Sequence, residues 1–453
     1  MTVMRMWIRA PLAILAEEAE GGVVVEGARI VECVARGAQP AAPVDEVFDA
    51  SGHVVLPGLI NLHHHFFQTL TRACPPALDK PLFPWLEALY PVWAGLRPVD
   101  LALAARVALV ELLRSGCTMV SDHHYLFPAG LEEAIDIEVA ALRELGMRAV
   151  LTRGSMSLSV EDGGLPPKCV VQNEDAIMAD SERLLTRYHE RGEGAMLGIA
   201  LAPCSPFSVT PALMRESAAL ARREGARLHT HLAETGDETA WCLEHTGQRP
   251  VDYLEALDWL GDDVWVAHGI HFDAHEIVRL GQAGVGVCHC PGSNMILASG
   301  HCRSLELEEA GSPVGLGVDG SASNDASNLI GEARQALLLQ RLYYGADRVG
   351  HRDALRWATE GGARCLGRSD IGRIAPGLQA DLALFKLEEP RFAGAGDPLA
   401  ALLLCGAQQA DRVMIAGRWR LLDGEVPGLD LDALLDAQRR AARELLRRAG
   451  LAA

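Results

Sequence analysis

Eight short apolar runs pace the middle of the chain, near residues 54–62, 117–122, 148–153, 196–202, 227–231, 264–268, 285–289 and 314–318. Between most of them lie amphipathic segments with helical spacing, such as 100–114, 131–145, 211–224, 249–260 and 273–283. Strands joined through helices run parallel and need cover on both faces, and eight such units close on themselves as a barrel. An open doubly wound sheet alternates in the same way, but no Gly-x-Gly-x-x-Gly follows the first run. The expected fold class is α/β, a (β/α)8 TIM-type barrel over residues 58–370.

Both ends of the chain differ from the middle. Residues 21–27 and 29–34 read as a hairpin, a Gly/Pro/Ala-rich segment follows at 37–43, and a strand follows at 46–49. Strand-like runs return at 380–385 and 412–417, and a helical tail spans 430–448. The two ends, 1–57 and 371–453, are expected to pack together as one small β-sandwich domain with a C-terminal helix beside the barrel.

Four of the barrel runs end in side chains that bind metals. Ile60-Asn61-Leu62 leads into His63-His64-His65, and Leu228 leads into His229-Thr230-His231 with Glu234 three residues on. Val264-Trp265-Val266-Ala267 ends in His268, and Val314 to Val318 ends in Asp319. Barrel active sites lie at the C-terminal strand ends, so these groups can converge on one divalent cation. Along a strand side chains alternate, which puts His63 and His65 on one side and turns His64 away. Of His229 and His231, the His-x-x-Glu spacing favours His231 as the ligand and leaves His229 deeper in the barrel. His268 is either a further ligand or a proton-transfer group, and Glu234 is placed to face metal-activated water. His271 and His275 read as surface residues, and Asp325 as the cap of the following helix.

Competing chemistries fail on inspection. The chain has no His-Glu-x-x-His, no Cys-x-x-Cys and no Gly-x-Ser-x-Gly. Pro203-Cys204 lacks the second cysteine of the zinc cytidine deaminase signature. In Cys288-His289-Cys290, alternation aims the imidazole away from the two thiols, which marks the triplet as structural. A formal net charge of −19 opposes a nucleic-acid partner, and no apolar run is long enough to span a membrane. The 11 cysteines follow no repeating spacing, and the segment from Met1 to Pro11 lacks the features of a signal peptide, so the expectation is a cytoplasmic protein with reduced thiols.

The motifs Pro57-Gly58-Leu59-Ile60-Asn61-Leu62-His63-His64-His65, His231-Leu232-Ala233-Glu234-Thr235, Ala267-His268-Gly269 and Gly317-Val318-Asp319-Gly320 together resemble the amidohydrolase superfamily, as does the late segment from Gly372 to Leu382. Binuclear members carry a modified lysine after the fourth strand. Here that strand ends Ala200-Leu201-Ala202-Pro203-Cys204, so the resemblance is to the mononuclear deaminase branch, which includes guanine deaminases, cytosine deaminases and triazine hydrolases. Within the branch, the segments 68–73, 82–86, 121–125 and 163–167 most resemble the 8-oxoguanine deaminases.

The resemblance implies one Zn²⁺ per subunit, or Fe²⁺ in its place, on His63, His65, His231 and Asp319. It implies proton transfer by Glu234, His268 and Asp319, and a homodimer or larger assembly. Gln68 falls where guanine deaminases place a Gln against the purine, and Cys204 stands where they place an Arg. The implied reaction is hydrolytic deamination of a small aminated heterocycle, 8-oxoguanine to uric acid and ammonia, with guanine, isocytosine or s-triazines as alternative substrates of the same site. Trp85, Trp93 and Tyr125 are candidates to stack on the ring, and Ser323 to hydrogen-bond it. The contrasting reading, a superfamily scaffold that has lost its metal, is opposed by the complete ligand set.

Overall fold

A computed structural model describes residues 4–451. Residues 1–3 and 452–453, at the outer ends of the segments assigned to the β-sandwich, lie outside the described residues.

Eight parallel strands form the central sheet in sequential order: Leu59–Asn61, Cys117–His124, Arg148–Ser155, Leu197–Pro203, Leu228–Leu232, Val264–His268, Gly286–His289 and Val314–Leu316. The first and last meet where the Leu62 amide donates to the Leu316 carbonyl at 3.0 Å. Just above, the Asp319 amide donates to the His63 carbonyl at 3.0 Å, and the Val318 amide to Asn61 Oδ1 at 2.8 Å. The barrel seam therefore sets His63 beside Asp319. The second and third strands are buried along their whole length, as a sheet covered by helices outside and side chains inside requires. The (β/α)8 barrel expected from the alternation is present.

The chain ends contribute two further sheets. One runs Arg29–Val34, Gly22–Glu26, Arg5–Arg9, Glu46–Asp49. The other runs Arg418–Leu421, Arg412–Ile415, Leu382–Lys386, His53–Pro57, Ala13–Ile14, so that N-terminal and C-terminal strands are neighbours. Met6, Ile8, Val23 and Val25 from the first share a buried core with Val55, Leu382, Leu384 and Met414 from the second. The C-terminal helix Leu431–Arg448 lies on the helix Pro98–Arg114, joined by Arg448 Nη2 to Asp100 Oδ2 at 2.5 Å.

Three sequence expectations are corrected. The apolar run 54–62 is two strands: His53–Pro57 belongs to the five-stranded sheet and Leu59–Asn61 to the barrel. Gly58 makes the crossing because a Cβ there would sit 2.0 Å from Thr118 Oγ1, so only glycine lets the backbone pass. The helix read over 249–260 stops at Ala256, and Asp258 then turns the chain with φ 62°. The helix Leu329–Tyr344 is capped by Asn328, whose side chain accepts the Gly331 amide, whereas Asp325 accepts the Ala73 amide at 2.5 Å. Among the described residues no helix is long and apolar enough to cross a membrane.

Candidate metal centre

At the C-terminal mouth of the barrel, the first, fifth, sixth and eighth strands deliver His63 and His65, His231 and Glu234, His268, and Asp319. His63 Nε2 and His65 Nε2 lie 3.3 and 3.2 Å from Asp319 Oδ1. His231 Nε2 lies 3.3 Å from His65 Nε2. His268 Nε2 lies 3.5 Å from Glu234 Oε2 and 4.0 Å from Asp319 Oδ2. Ala233, His268 and Asp319 hold left-handed φ values of 52°, 74° and 60°, a conformation that costs energy in non-glycine residues and clusters at functional sites.

The outer hydrogen bonds fix which ring nitrogens face inward. His65 Nδ1 meets the His123 carbonyl at 2.7 Å, and His231 Nδ1 meets the Cys204 carbonyl at 2.6 Å. A carbonyl only accepts, so both Nδ1 atoms carry the proton. His229 Nδ1 likewise donates to the Trp265 carbonyl at 2.9 Å, which leaves its Nε2 as the acceptor for His63 Nδ1–H at 2.8 Å. His63, His65 and His231 therefore each turn a bare Nε2 lone pair inward, the first two toward Asp319 Oδ1 and the third toward His65. His63 Nε2 is buried without a hydrogen-bond partner. Lone pairs packed this closely repel unless an electrophile sits among them. A nitrogen-rich donor set with one carboxylate, its outer N–H groups anchored, fits a divalent cation such as zinc.

Burial lowers the pKa of His63 and His231, and takes His268 down to about 3. The rings are thus neutral, as ligands must be. Asp319 is held well below the usual carboxylate range: burial opposes this, but the adjoining His63 and His65 rings outweigh it. Glu234 is pushed well above its usual value by burial, and further by the charges of Asp319 and Glu238. The two carboxyl groups are pushed in opposite directions, the separation that acid–base chemistry uses.

One cavity is lined by His65, Gln68, Trp85, Cys204, His231, Glu234, His268, Asp319 and Ser323, all singled out by the sequence. His63 is fully buried beneath it. Gln68 Oε1 accepts the Ala322 amide at 3.3 Å, and the Trp85 indole N–H donates to the Ala322 carbonyl at 3.1 Å. Ser323 Oγ donates to Asp319 Oδ2 at 3.4 Å, and Cys204 Sγ lies 3.8 Å from His231 Nδ1. Tyr125 also borders the cavity, but Trp93 does not: it is buried edge-on to Phe67 and Trp85 and donates to Thr71 Oγ1. His64 points away to Ser327 Oγ at 3.0 Å, and His271 and His275 are exposed. The Cys288 and Cys290 thiols lie 3.7 Å apart, while His289 Nε2 meets Gln340.

Sequence reasoning missed three residues here. His123 is the last residue but one of the second strand and stacks on His231 at 4.7 Å; it was visible as one more histidine at the end of an apolar run. Asn294 Nδ2 reaches His268 Nδ1 at 3.0 Å, and Glu238 holds the loop that carries Glu234. Asn294 has no local signal because its contact joins distant segments, and Glu238 has none because a glutamate early in a helix reads first as a residue that favours the helix dipole.

Residues 54–420 match the model of the amidohydrolase family. The chain is 64% identical to an 8-oxoguanine deaminase from Pseudomonas aeruginosa over 98% of its own length and 99% of the relative's. It is 39% identical to an isoxanthopterin deaminase of an unknown prokaryotic organism, with 91% and 89% of the two chains covered. Among solved structures, it superposes on the atrazine chlorohydrolase TrzN from Arthrobacter aurescens TC1 in complex with zinc, with a TM-score of 0.91, 30% identity, and 96% and 100% of the two chains covered.

Proposed function

This chain belongs to the amidohydrolase family, and on that premise we propose that it is a hydrolytic deaminase that converts 8-oxoguanine and water to uric acid and ammonia. The observation that carries the chemistry is the Glu234 carboxyl facing His268, with Asp319 on the other side of His268, over a ring of inward lone pairs. The choice of purine is supported by the 64% identity to an 8-oxoguanine deaminase.

His63, His65, His231 and Asp319 would hold one Zn²⁺ per chain; the zinc-bound relative of the same fold supports that ion. When bound, such an ion acts as a Lewis acid that makes water nucleophilic near neutral pH. Glu234 donates its proton to the ring nitrogen beside the amino-bearing carbon, which makes that carbon electrophilic. Asp319 and His268 orient the attacking water and take its proton. Glu234, left as a carboxylate, takes the proton of the added hydroxyl and passes it to the departing amine; the substrate C–N bond breaks, a carbonyl remains, and the proton taken from water by Asp319 and His268 returns to Glu234. Gln68 hydrogen-bonds the heterocycle, Ser323 approaches it from the eighth loop, and Trp85 and Tyr125 offer aromatic faces. Cys204 offers a small uncharged surface at the end of the fourth strand. The same reading takes the enzyme to be a cytoplasmic homo-oligomer, in keeping with 11 free cysteines.

Ammonia release measured from 8-oxoguanine, guanine, isocytosine and hydroxytriazines tests the proposal. It predicts the highest kcat/KM on 8-oxoguanine. A preference for a triazine would move the chain to the triazine hydrolases. Near-normal turnover by Glu234→Gln with full metal content would remove Glu234 from the mechanism.

A further inference from the structure

Glu238 takes part in no step above. It lies in the first turn of the helix Gly236–Thr246 and is 1% exposed. Its carboxylate turns back out of that helix: Oε1 accepts the Ala233 amide at 2.8 Å, and Oε2 the Glu234 amide at 3.0 Å. These two residues carry the chain off the fifth strand, with Ala233 in the left-handed region. The opposite side of the turn is tied as well, because the Ile270 and His271 amides both donate to the Ala233 carbonyl at 2.9 Å. Thr235, the residue before the helix, makes no side-chain cap, so Glu238 supplies the hydrogen-bond acceptors at this corner.

We propose that Glu238 is a positioning residue: its carboxylate clamps the two amides of the turn and so aims the Glu234 side chain at His268 and the substrate ring. The inference rests on the reading of Glu234 as proton donor. Through these two bonds one side chain sets the direction of another.

The test is steady-state kinetics of Glu238→Gln and Glu238→Ala, with metal content measured and Glu234→Gln run in parallel. Glutamine keeps the shape but turns an amide donor toward a backbone N–H. The expected result is a fall in kcat of roughly tenfold to a hundredfold with KM little changed and metal content intact. Wild-type rates would overturn the proposal. So would a fall in rate that follows metal loss, since that is a structural role only. If Glu234→Gln itself turns over normally, the reading of Glu234 fails and the role of Glu238 falls with it. An inactive Glu234→Gln beside a wild-type-like Glu238→Gln sinks only the positioning role.

Discussion

His65 Nε2 and His231 Nε2 face each other at 3.3 Å, on rings whose Nδ1 protons are both given to main-chain carbonyls. Two lone pairs held this way in a buried site are stabilised by a shared cation and repel without one. Binding to the folded chain alone also stabilises it by mass action. Removing the cation with a chelator should therefore lower Tm in scanning calorimetry by several degrees, and restoring zinc should recover it. An unchanged Tm would show that the rings are satisfied in some other way.

Gly320 gives Gln68 its place. A Cβ on Gly320 would lie 1.9 Å from Gln68 Oε1, so Gly320→Ala must push the amide out of its seat against the Ala322 N–H. The expected outcome is a raised KM with a smaller change in kcat and a normal metal content. Steady-state kinetics on 8-oxoguanine check it, and an unchanged KM would separate Gln68 from substrate binding.

Arg148 and Asp381 join the barrel to the β-sandwich. Arg148 is fully buried, and its guanidinium meets both Asp381 oxygens at 2.9 and 3.1 Å while also donating to the Gly194 and Ala195 carbonyls. Removing one partner strands a buried charge, which costs about 3–5 kcal/mol. Asp381→Ala should lose stability of that order in chemical denaturation, whereas exposed pairs such as Lys168–Glu161 should be silent when broken.

A second acidic cluster controls stability at high pH. Asp122, His124 and Glu138 are fully buried, and burial raises the Glu138 carboxyl to about 8. Between the unfolded-state value of about 4.3 and the folded value, the native chain holds a proton that the unfolded chain has released. Stability from this group is therefore complete below about pH 4.3 and is lost as pH rises through about 8. Glu138→Gln should flatten the decline in Tm across that window, and parallel curves for the two proteins would contradict the assignment.

The barrel was legible because its strands and helices differ in hydrophobic period, and the residues of the candidate site because they close four apolar runs. Gly58 was not legible as a corner: the run from Val54 to Leu62 stays apolar through it, and only the approach of Thr118 shows why the strand must break. Asp325 and Asn328 are both good caps in isolation, and the fold decides between them by giving Asp325 to Ala73. Asn294 has ordinary local surroundings, and His268 reaches it only when neighbouring strand ends converge, whereas Glu238 bonds amides four and five residues back in a turn whose path the sequence does not show. Trp93 looked like a residue that stacks on substrate because aromatic side chains serve cores and pockets alike. Its neighbours Phe67 and Trp85 put it in the core.

On the proposed reading, one cation on His63, His65, His231 and Asp319 would activate water for deamination. Titrating metal-free protein with Zn²⁺ while following ammonia release from 8-oxoguanine tests it most directly. The predicted result is activity that rises from zero and levels off at one equivalent per chain. Full turnover by the metal-free protein, or none at any loading, would contradict it.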